Sequence, residues 1–161
     1  GKLYNGVAVK DNRNVCPNGW HIPSDIEWID FIHAIDPFDN GRELFNPDLL
    51  GAKDKYIVST YAGGALKSTG TLENRMGLWK HPNTEATNMS GFSGLPGGMH
   101  GFWPGTPYKN PFEFFGNKGF WWTKKSQRDL AYIIGVDNSS GTVEIIKTVI
   151  NGAIAIRCVK N

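Results

Sequence analysis

Two cysteines, and a histidine near one of them, are the residues of this chain whose types could carry out covalent chemistry. Cys16 and His21 lie in the stretch CPNGWHIPSDIEW, residues 16–28, and Cys158 lies close to the other end of the sequence. A thiol activated by a neighbouring imidazole is a nucleophile. However, a proline and a glycine separate the two side chains, and this is more typical of a histidine that enters a helix and bonds to the backbone.

The placement of the two cysteines favours a disulfide. Cys16 follows the first predicted strand and Cys158 lies in the last one, as expected if the terminal strands run side by side. Closing so long a loop stabilises a fold by about 5 kcal/mol in the chain-entropy account, and such a bond persists in an oxidising compartment. The alternative is a pair of buried free thiols. A disulfide excludes thiol catalysis, because a bonded sulfur cannot attack a substrate.

The sequence predicts no catalytic residue. Its four histidines show neither the i, i+4 pairing nor the Cys/His clustering of a zinc site. They are His21, His33, His81 and His100. The stretch GGALKSTG, residues 63–70, lacks the glycine that a phosphate-binding loop needs directly before its lysine. A G-x-S-x-G nucleophile elbow does not occur.

Length and composition indicate one domain over residues 1–161. Seventeen basic and fifteen acidic residues give a net charge of +2 without a basic run, which argues against a nucleic-acid partner. Because no apolar stretch approaches the roughly 18 residues of a membrane span, membrane insertion is not expected. The start GKLYNGVAVK lacks signal-peptide character, so an exported protein would carry its targeting segment outside this sequence.

The clearest predicted helix spans residues 24–35. Ser24 can cap it, and Glu27 can reach back to the Ser24 amide, which together form a capping box. Its apolar face comprises Trp28, Ile29, Ile32 and Ile35. Residues 3–9 are predicted to form a strand, and residues 60–67 can form a second, short helix.

The last thirty residues are rich in β-branched side chains and predict an antiparallel meander. Its strands span residues 129–136, 142–150 and 153–159. The linkers DNSSG and NG have the composition of hairpin turns. In the last strand Ile154, Ile156 and Cys158 share a face and are expected to point into the core.

Residues 99–122 are the most informative region for function because aromatic side chains crowd it. They are Phe102, Trp103, Tyr108, Phe112, Phe114, Phe115, Phe120, Trp121 and Trp122. A segment so rich in Gly and Pro cannot bury all of them, and exposed aromatics stack on sugar rings or anchor protein partners. The alternative is a satellite core cluster. Trp121 and Trp122 face opposite ways on a strand, which predicts one in the core and the other on a ligand-facing surface.

Five blocks of the sequence together resemble the Fibrobacter succinogenes major paralogous domain family. In chain order they are CPNGWHIPSDIEW (16–28), AGGALKSTG (62–70), NMSGFSGLPGG (88–98), GFWW (119–122) and AIRCVKN (155–161). That family is similar to the formylglycine-generating-enzyme branch of the C-type-lectin-like fold. The resemblance implies an α+β domain with paired terminal strands, one or two helices, an antiparallel C-terminal meander and long irregular loops. It also implies display on the bacterial cell surface or secretion.

The expected function is a non-enzymatic extracellular recognition module for a glycan or a surface protein. The predicted ligand-binding residues are Trp103, Tyr108, Trp121, Trp122, Asp137, Asn138, Ser139 and Ser140. The alternative is an oxidoreductase similar to the formylglycine-generating relatives. Those enzymes need a reactive cysteine pair in the C-terminal half, where Cys158 stands alone in this chain.

No cofactor is expected, and calcium is the alternative because lectin-like folds often hold this ion in loops. The stretch HPNTEATN, residues 81–88, offers Asn83, Glu85 and Asn88 as oxygen donors. One carboxylate is few for a cation that takes about 6 to 8 oxygens. The sequence therefore assigns no metal ligand.

Overall fold

The described part of the chain contains antiparallel strands and three helices, joined by long segments without regular secondary structure. The computed structural model describes residues 1–38, 54–101, 112–127 and 130–161. The helices are α1 (Gly6–Lys10), α2 (Asp25–Ile35) and α3 (Ala62–Leu66). The strands are β1 (Tyr4–Asn5), β2 (Trp20–His21), β3 (Lys55–Ser59), β4 (Met99–His100), β5 (Phe112–Glu113), β6 (Lys118–Gln127), β7 (Leu130–Asp137), β8 (Val143–Val149), β9 (Ala153–Ile154) and β10 (Val159–Lys160). The predicted α+β class is confirmed.

The main sheet has four strands in the order β3-β8-β7-β6, and all its neighbouring strands are antiparallel. Because successive side chains on a strand alternate between the two faces, each face can carry its own apolar cluster. One cluster contains Trp121, Ile134 and Ile145 and packs on helix α2. The other contains Trp122 and Ile133 and packs on residues near both termini. The sheet is therefore covered by apolar side chains on both faces.

Trp121 and Trp122 lie in these two clusters, so the expectation that one of them faces outward is wrong. Their exposed fractions are 6% and 0%. The two rings do point to opposite faces of strand β6, but each face has its own cover. The indole N–H of Trp122 donates to the carbonyl oxygen of Tyr4 at 2.7 Å, which satisfies its polar atom in the interior.

Helix α2 forms as predicted. The Ser24 side chain accepts from the Glu27 amide, and the Glu27 carboxylate accepts from the Ser24 amide, which completes the capping box. Trp28, Ile29 and Ile32 are buried on the first cluster. In the described part of the chain, no helix is long and apolar enough to cross a membrane.

The two ends of the chain are paired in space, as predicted. Strand β1 runs antiparallel to β9, and β2 runs antiparallel to β10. A disulfide joins Cys16 to Cys158 across 142 positions of sequence. Both cysteines pack with the second apolar cluster, together with Ile154 and Ile156. The predicted inward face of the last segment is thus confirmed.

The predicted first strand over residues 3–9 is mostly wrong. Only Tyr4 and Asn5 pair as a strand, and helix α1 follows at once. The Asn5 side chain accepts from the Ala8 amide and caps this helix. The apolar spacing of this stretch fits either a strand or a helix. The cap favours the helix, because it gives an amide a hydrogen-bond acceptor that in a strand would have to come from a neighbouring strand.

The predicted C-terminal meander is correct for two of its three strands. Strands β7 and β8 pair as expected, but residues 153–159 do not add to them. This segment divides into β9 and β10, which pair with strands from the other end of the chain and with β4. The amide of Trp122 donates to the carbonyl of Ala155 at 3.1 Å, and the disulfide draws the chain beyond it toward Cys16. Strands β3 and β6 complete the main sheet instead.

Replacing Cys16 and Cys158 together with Ser is expected to lower the free energy of unfolding by about 2 to 5 kcal/mol, because the unfolded chain loses a long-range constraint. Urea unfolding of the double variant and of the wild type, with and without reductant, measures the change. The reduced wild type should unfold like the double variant. A wild type whose unfolding midpoint ignores the reductant would contradict this account.

His21 connects the C-terminal segment to the start of helix α2. Its Nδ1 lies 2.7 Å from Asn161 Oδ1, and its Nε2 lies 2.8 Å from Glu27 Oε1. Both neighbouring atoms are acceptors, and an imidazole can donate from both nitrogens only when it is protonated. The hydrogen bond with Asn161, followed by that with Glu27, therefore raises the pKa of His21 above 6.5. The sequence predicted bonds to the backbone here, and the structure shows side-chain partners instead.

Asn161→Ala is expected to lower the pKa of His21 toward 6.5, because it removes the first of these acceptors. The folded protein binds the His21 proton more tightly than the unfolded chain does. The resulting stabilisation is complete below pH 6.5 and is lost as the pH rises through the folded-state pKa. NMR titration of the ring C–H signals and urea midpoints at about pH 5 and about pH 8 measure both effects. An unchanged pKa in the variant would refute this role for Asn161.

Candidate ligand-binding site

A cleft of about 600 Å³ opens where the two ends of the chain meet the 92–97 loop. We call it the terminal cleft. Its lining residues are Gly1, Lys2, Leu3, Tyr4, Phe92, Ser93, Gly94, Leu95, Gly97, Phe112, Phe115, Trp121, Ala155, Ile156 and Arg157. Its volume lies within the range of roughly 300 to 1,000 Å³ that is typical of ligand pockets.

The floor of the terminal cleft is a set of packed aromatic rings. Phe92 meets Trp121 edge to face, with ring centroids 5.0 Å apart, and Trp28 of helix α2 lies 5.5 Å from Phe92 on another side. Phe92 and Trp121 are both buried. Contacts of this kind hold the rings in single orientations. The floor is therefore rigid before any ligand arrives.

Glycines leave the space that the Trp121 ring occupies. A Cβ added at Gly119 would lie 2.6 Å from an atom of this ring, and one added at Gly94 would lie 3.0 Å from it. The first distance is shorter than carbon atoms tolerate without displacement. The glycine of the GFWW block thus has a packing role, since it admits the ring that forms the floor of the cleft.

The rim of the terminal cleft is apolar and exposed. Leu95, Phe112 and Phe115 have exposed fractions of 48%, 57% and 60%. Arg157 also lines the cleft, and its guanidinium lies over the ring of Phe92, 4.8 Å from the ring centroid. An aromatic and aliphatic rim beside an arginine is a composition that recurs in binding surfaces.

The predicted ligand-binding tryptophans only partly coincide with this cleft. Trp121 lines it through its buried ring, whereas Trp122 points into the core on the other face of the sheet. Trp103 and Tyr108 lie outside the described residues, and their binding role stays a prediction. The exposed phenylalanines that do line the cleft belong to the aromatic segment, but sequence reasoning did not single them out.

The predicted polar turn lies at a separate place. Asp137, Ser139 and Ser140 line a smaller depression of about 230 Å³, the turn hollow, together with Lys118. This hollow also contains Phe120, whose side chain points to the face of strand β6 opposite Trp121. The polar turn and the terminal cleft are therefore two separate places, whereas the sequence-based prediction had grouped their residues on one surface.

Within the turn, only part of the polar surface is available to a ligand. Asn138 is buried, and its amide donates to the carbonyls of Lys80 and His81 at 3.1 and 2.9 Å. Asp137 pairs with Lys118 at 3.0 Å and accepts from the hydroxyl and amide of Ser139. Asn138 thus supports the loop from inside. Asp137, Ser139 and Ser140 are the residues of the turn that remain accessible to the solvent.

A buried lysine, which sequence reasoning missed, holds this turn in place. The Lys67 ammonium donates to the carbonyls of Thr84, Asp137 and Ser140 at 2.7, 2.9 and 2.8 Å. Burial lowers the pKa of Lys67 to about 8, against the opposing effect of the nearby Asp137 and Glu85 charges. The side chain follows the short helix α3 and points inward, so it cannot bind phosphate. A lysine after a small-residue helix carries no sequence signal for such a role.

Of the three residues considered for calcium, Asn83 and Asn88 have side-chain amides that already donate hydrogen bonds within the protein. The Asn83 amide donates to the carbonyls of Ser68 and Gly70, and the Asn88 side chain bonds to Ser93. Asn83 Oδ1 is buried without a hydrogen-bond partner, but one amide oxygen falls far short of about 6 to 8 ligands. In the part of the chain that the structure describes, no three His, Cys, Asp or Glu side chains cluster as metal ligands. The loop carbonyls around Lys67 already bind the lysine ammonium, which occupies the place that a metal cation would take.

Comparison with known proteins assigns the family. The chain matches the family described as Fibrobacter succinogenes major domain over residues 1–160, and it belongs to that family. No curated protein and no solved structure matches it.

Lys67→Met is expected to lower the free energy of unfolding by about 2 to 5 kcal/mol, because three partly buried carbonyls lose their donor. Lys160→Met is the matched control. It removes an exposed ammonium and should change stability by less than about 0.5 kcal/mol. Urea unfolding of both variants measures the difference. Equal midpoints for the two variants would show that the Lys67 ammonium does not hold the loops together.

Proposed function

We propose that this domain is a non-enzymatic recognition module, and that it binds a glycan or a protein through the terminal cleft. The observation that supports this proposal most directly is the exposed rim of Leu95, Phe112 and Phe115 around a rigid aromatic floor. Water-exposed apolar side chains around a concave surface are costly for a soluble domain unless a ligand covers them. A preformed floor lowers the entropy cost of binding.

The proposed fold is C-type-lectin-like. Pairing of the two ends of the chain, a disulfide between them and long irregular connections between short strands support it. In such an arrangement the scaffold is held together at the termini, and the irregular segments are free to differ in shape. The terminal cleft combines both parts, since its walls come from the terminal segments and from the 92–97 loop.

The absence of catalysis is part of the proposal, and the disulfide supports it. Both cysteines of the chain are joined to each other, so neither can serve as a reactive thiol. An oxidase similar to the formylglycine-generating enzymes would need a reactive cysteine pair. The same disulfide supports an oxidising location, and we propose the bacterial cell surface or the extracellular space.

The test is a binding screen on printed glycan and peptide arrays with the wild type, Phe115→Ala and Phe38→Ala. Phe38 is 97% exposed and does not line the cleft, so it controls for the loss of an exposed ring. For any ligand that the wild type selects, Phe115→Ala should weaken binding about ten-fold or more, as the loss of a hot-spot ring does. Phe38→Ala should bind like the wild type.

Two outcomes would overturn the proposal. One is a selected ligand whose affinity is the same for Phe115→Ala and Phe38→Ala, which would place the binding surface elsewhere. The other is an array on which the wild type selects nothing. Melting curves of both variants show whether each is folded, and because both side chains are exposed, little change in stability is expected.

A further inference from the structure

Among the described residues that line the terminal cleft, the charged side chains have one sign. Lys2 and Arg157 are the charged side chains that line it, and the described lining residues include no Asp or Glu. The chain as a whole has 17 basic and 15 acidic residues, so this is a local separation of charge. An electropositive cleft attracts an anionic group.

Arg157 is held ready for such a group. Its guanidinium stacks on the Phe92 ring at 4.8 Å from the centroid, and Phe92 is fixed in turn by Trp28 and Trp121. In the described part of the chain, neither Arg157 nor Lys2 pairs with a carboxylate. A stacked guanidinium keeps its N–H edge free, and that edge matches the two oxygens of a carboxylate.

The other lining side chains favour a peptide over a sugar. Leu95, Phe112 and Phe115 offer only apolar surface. Of the described lining side chains, those of Tyr4 and Ser93 carry hydroxyls, and the Ser93 hydroxyl is already bonded to Asn88. A saccharide buried here would leave many of its hydroxyls without partners, which is costly. A peptide brings apolar side chains that fit the rim.

We propose that the ligand of the terminal cleft is a peptide segment of a partner protein in which a carboxylate lies next to a large apolar side chain. The apolar side chain packs on Leu95, Phe112 and Phe115, and the carboxylate binds Arg157, with Lys2 beside it. This inference rests on the proposed function of the cleft and specifies its ligand.

The test is an NMR titration of the 161-residue chain with three probes: N-acetyl-phenylalanine, its uncharged primary amide, and galacturonic acid. The first two differ only in the carboxylate, and the third carries the carboxylate on a sugar. We expect N-acetyl-phenylalanine to shift the amide signals of Phe115 and Arg157, and to bind about ten-fold more tightly than its amide, as a charge-assisted hydrogen bond allows. Galacturonic acid should bind more weakly than N-acetyl-phenylalanine.

Arg157→Gln should abolish the preference for the carboxylate, so that N-acetyl-phenylalanine and its amide bind this variant with equal affinity. The matched control is Arg75→Gln, because Arg75 is exposed and lies outside the cleft. This control should keep the ten-fold preference, which separates a specific contact from a change in net charge. Arg157 is itself exposed, and a melting curve confirms that its variant is folded.

Different results would refute the peptide ligand and the binding function of the cleft. Equal binding of N-acetyl-phenylalanine and its amide at the cleft would refute the carboxylate contact and leave the cleft as a binding site. Tighter, Arg157-dependent binding of galacturonic acid would show an acidic glycan and refute the peptide. If no probe shifts cleft signals at its solubility limit, this inference fails. The array result with Phe115→Ala then decides separately whether the cleft binds anything.

Discussion

The joining of the two chain ends is the constraint on which the rest of this structure depends. The Cys16–Cys158 bond and the pairs β1–β9 and β2–β10 hold the first and last segments side by side. Residues 1–4 and 155–157 then form one wall of the terminal cleft. Because a cleft wall built from two segments distant in sequence has no local support of its own, its shape depends on this cross-link. The same bond removes the thiols that would permit covalent catalysis, so the feature that shapes the site also limits its chemistry.

The main sheet provides the second support, since it is covered on both faces. Trp121 and Trp122 enter different clusters, and the first also forms the floor of the cleft. A side chain that belongs to the core and to the site at once transmits the rigidity of the core to the ligand surface. A further support is the Lys67 ammonium, which ties three loop carbonyls together. A loop-rich fold of this size thus uses a covalent bond and a buried cation where regular secondary structure is scarce.

The proposed recognition function places binding at the edge of the scaffold. The rim residues are exposed and contribute little to the core, so they can differ in type without unfolding the domain. The floor and the glycines that admit the Trp121 ring cannot change so freely, because a Cβ at Gly119 would meet the indole. This division between a rigid floor and a replaceable rim is compatible with the proposed recognition function.

The sequence by itself determined the features that depend on residues close together in the chain, and the disulfide, for which the chain has only two cysteines. The Ser24–Glu27 capping box, the β-branched strands β7 and β8 and the pairing of the only two cysteines were all predicted correctly. The tertiary structure alone decided that Trp121 and Trp122 are both buried and that the strands of residues 153–159 pair outside the main sheet. It also decided that Phe112 and Phe115 share a cleft with Arg157. Periodicity shows which face of a strand a side chain occupies, but whether that face is covered depends on segments distant in sequence. The cleft is made of such distant segments, and their approach has no local signal.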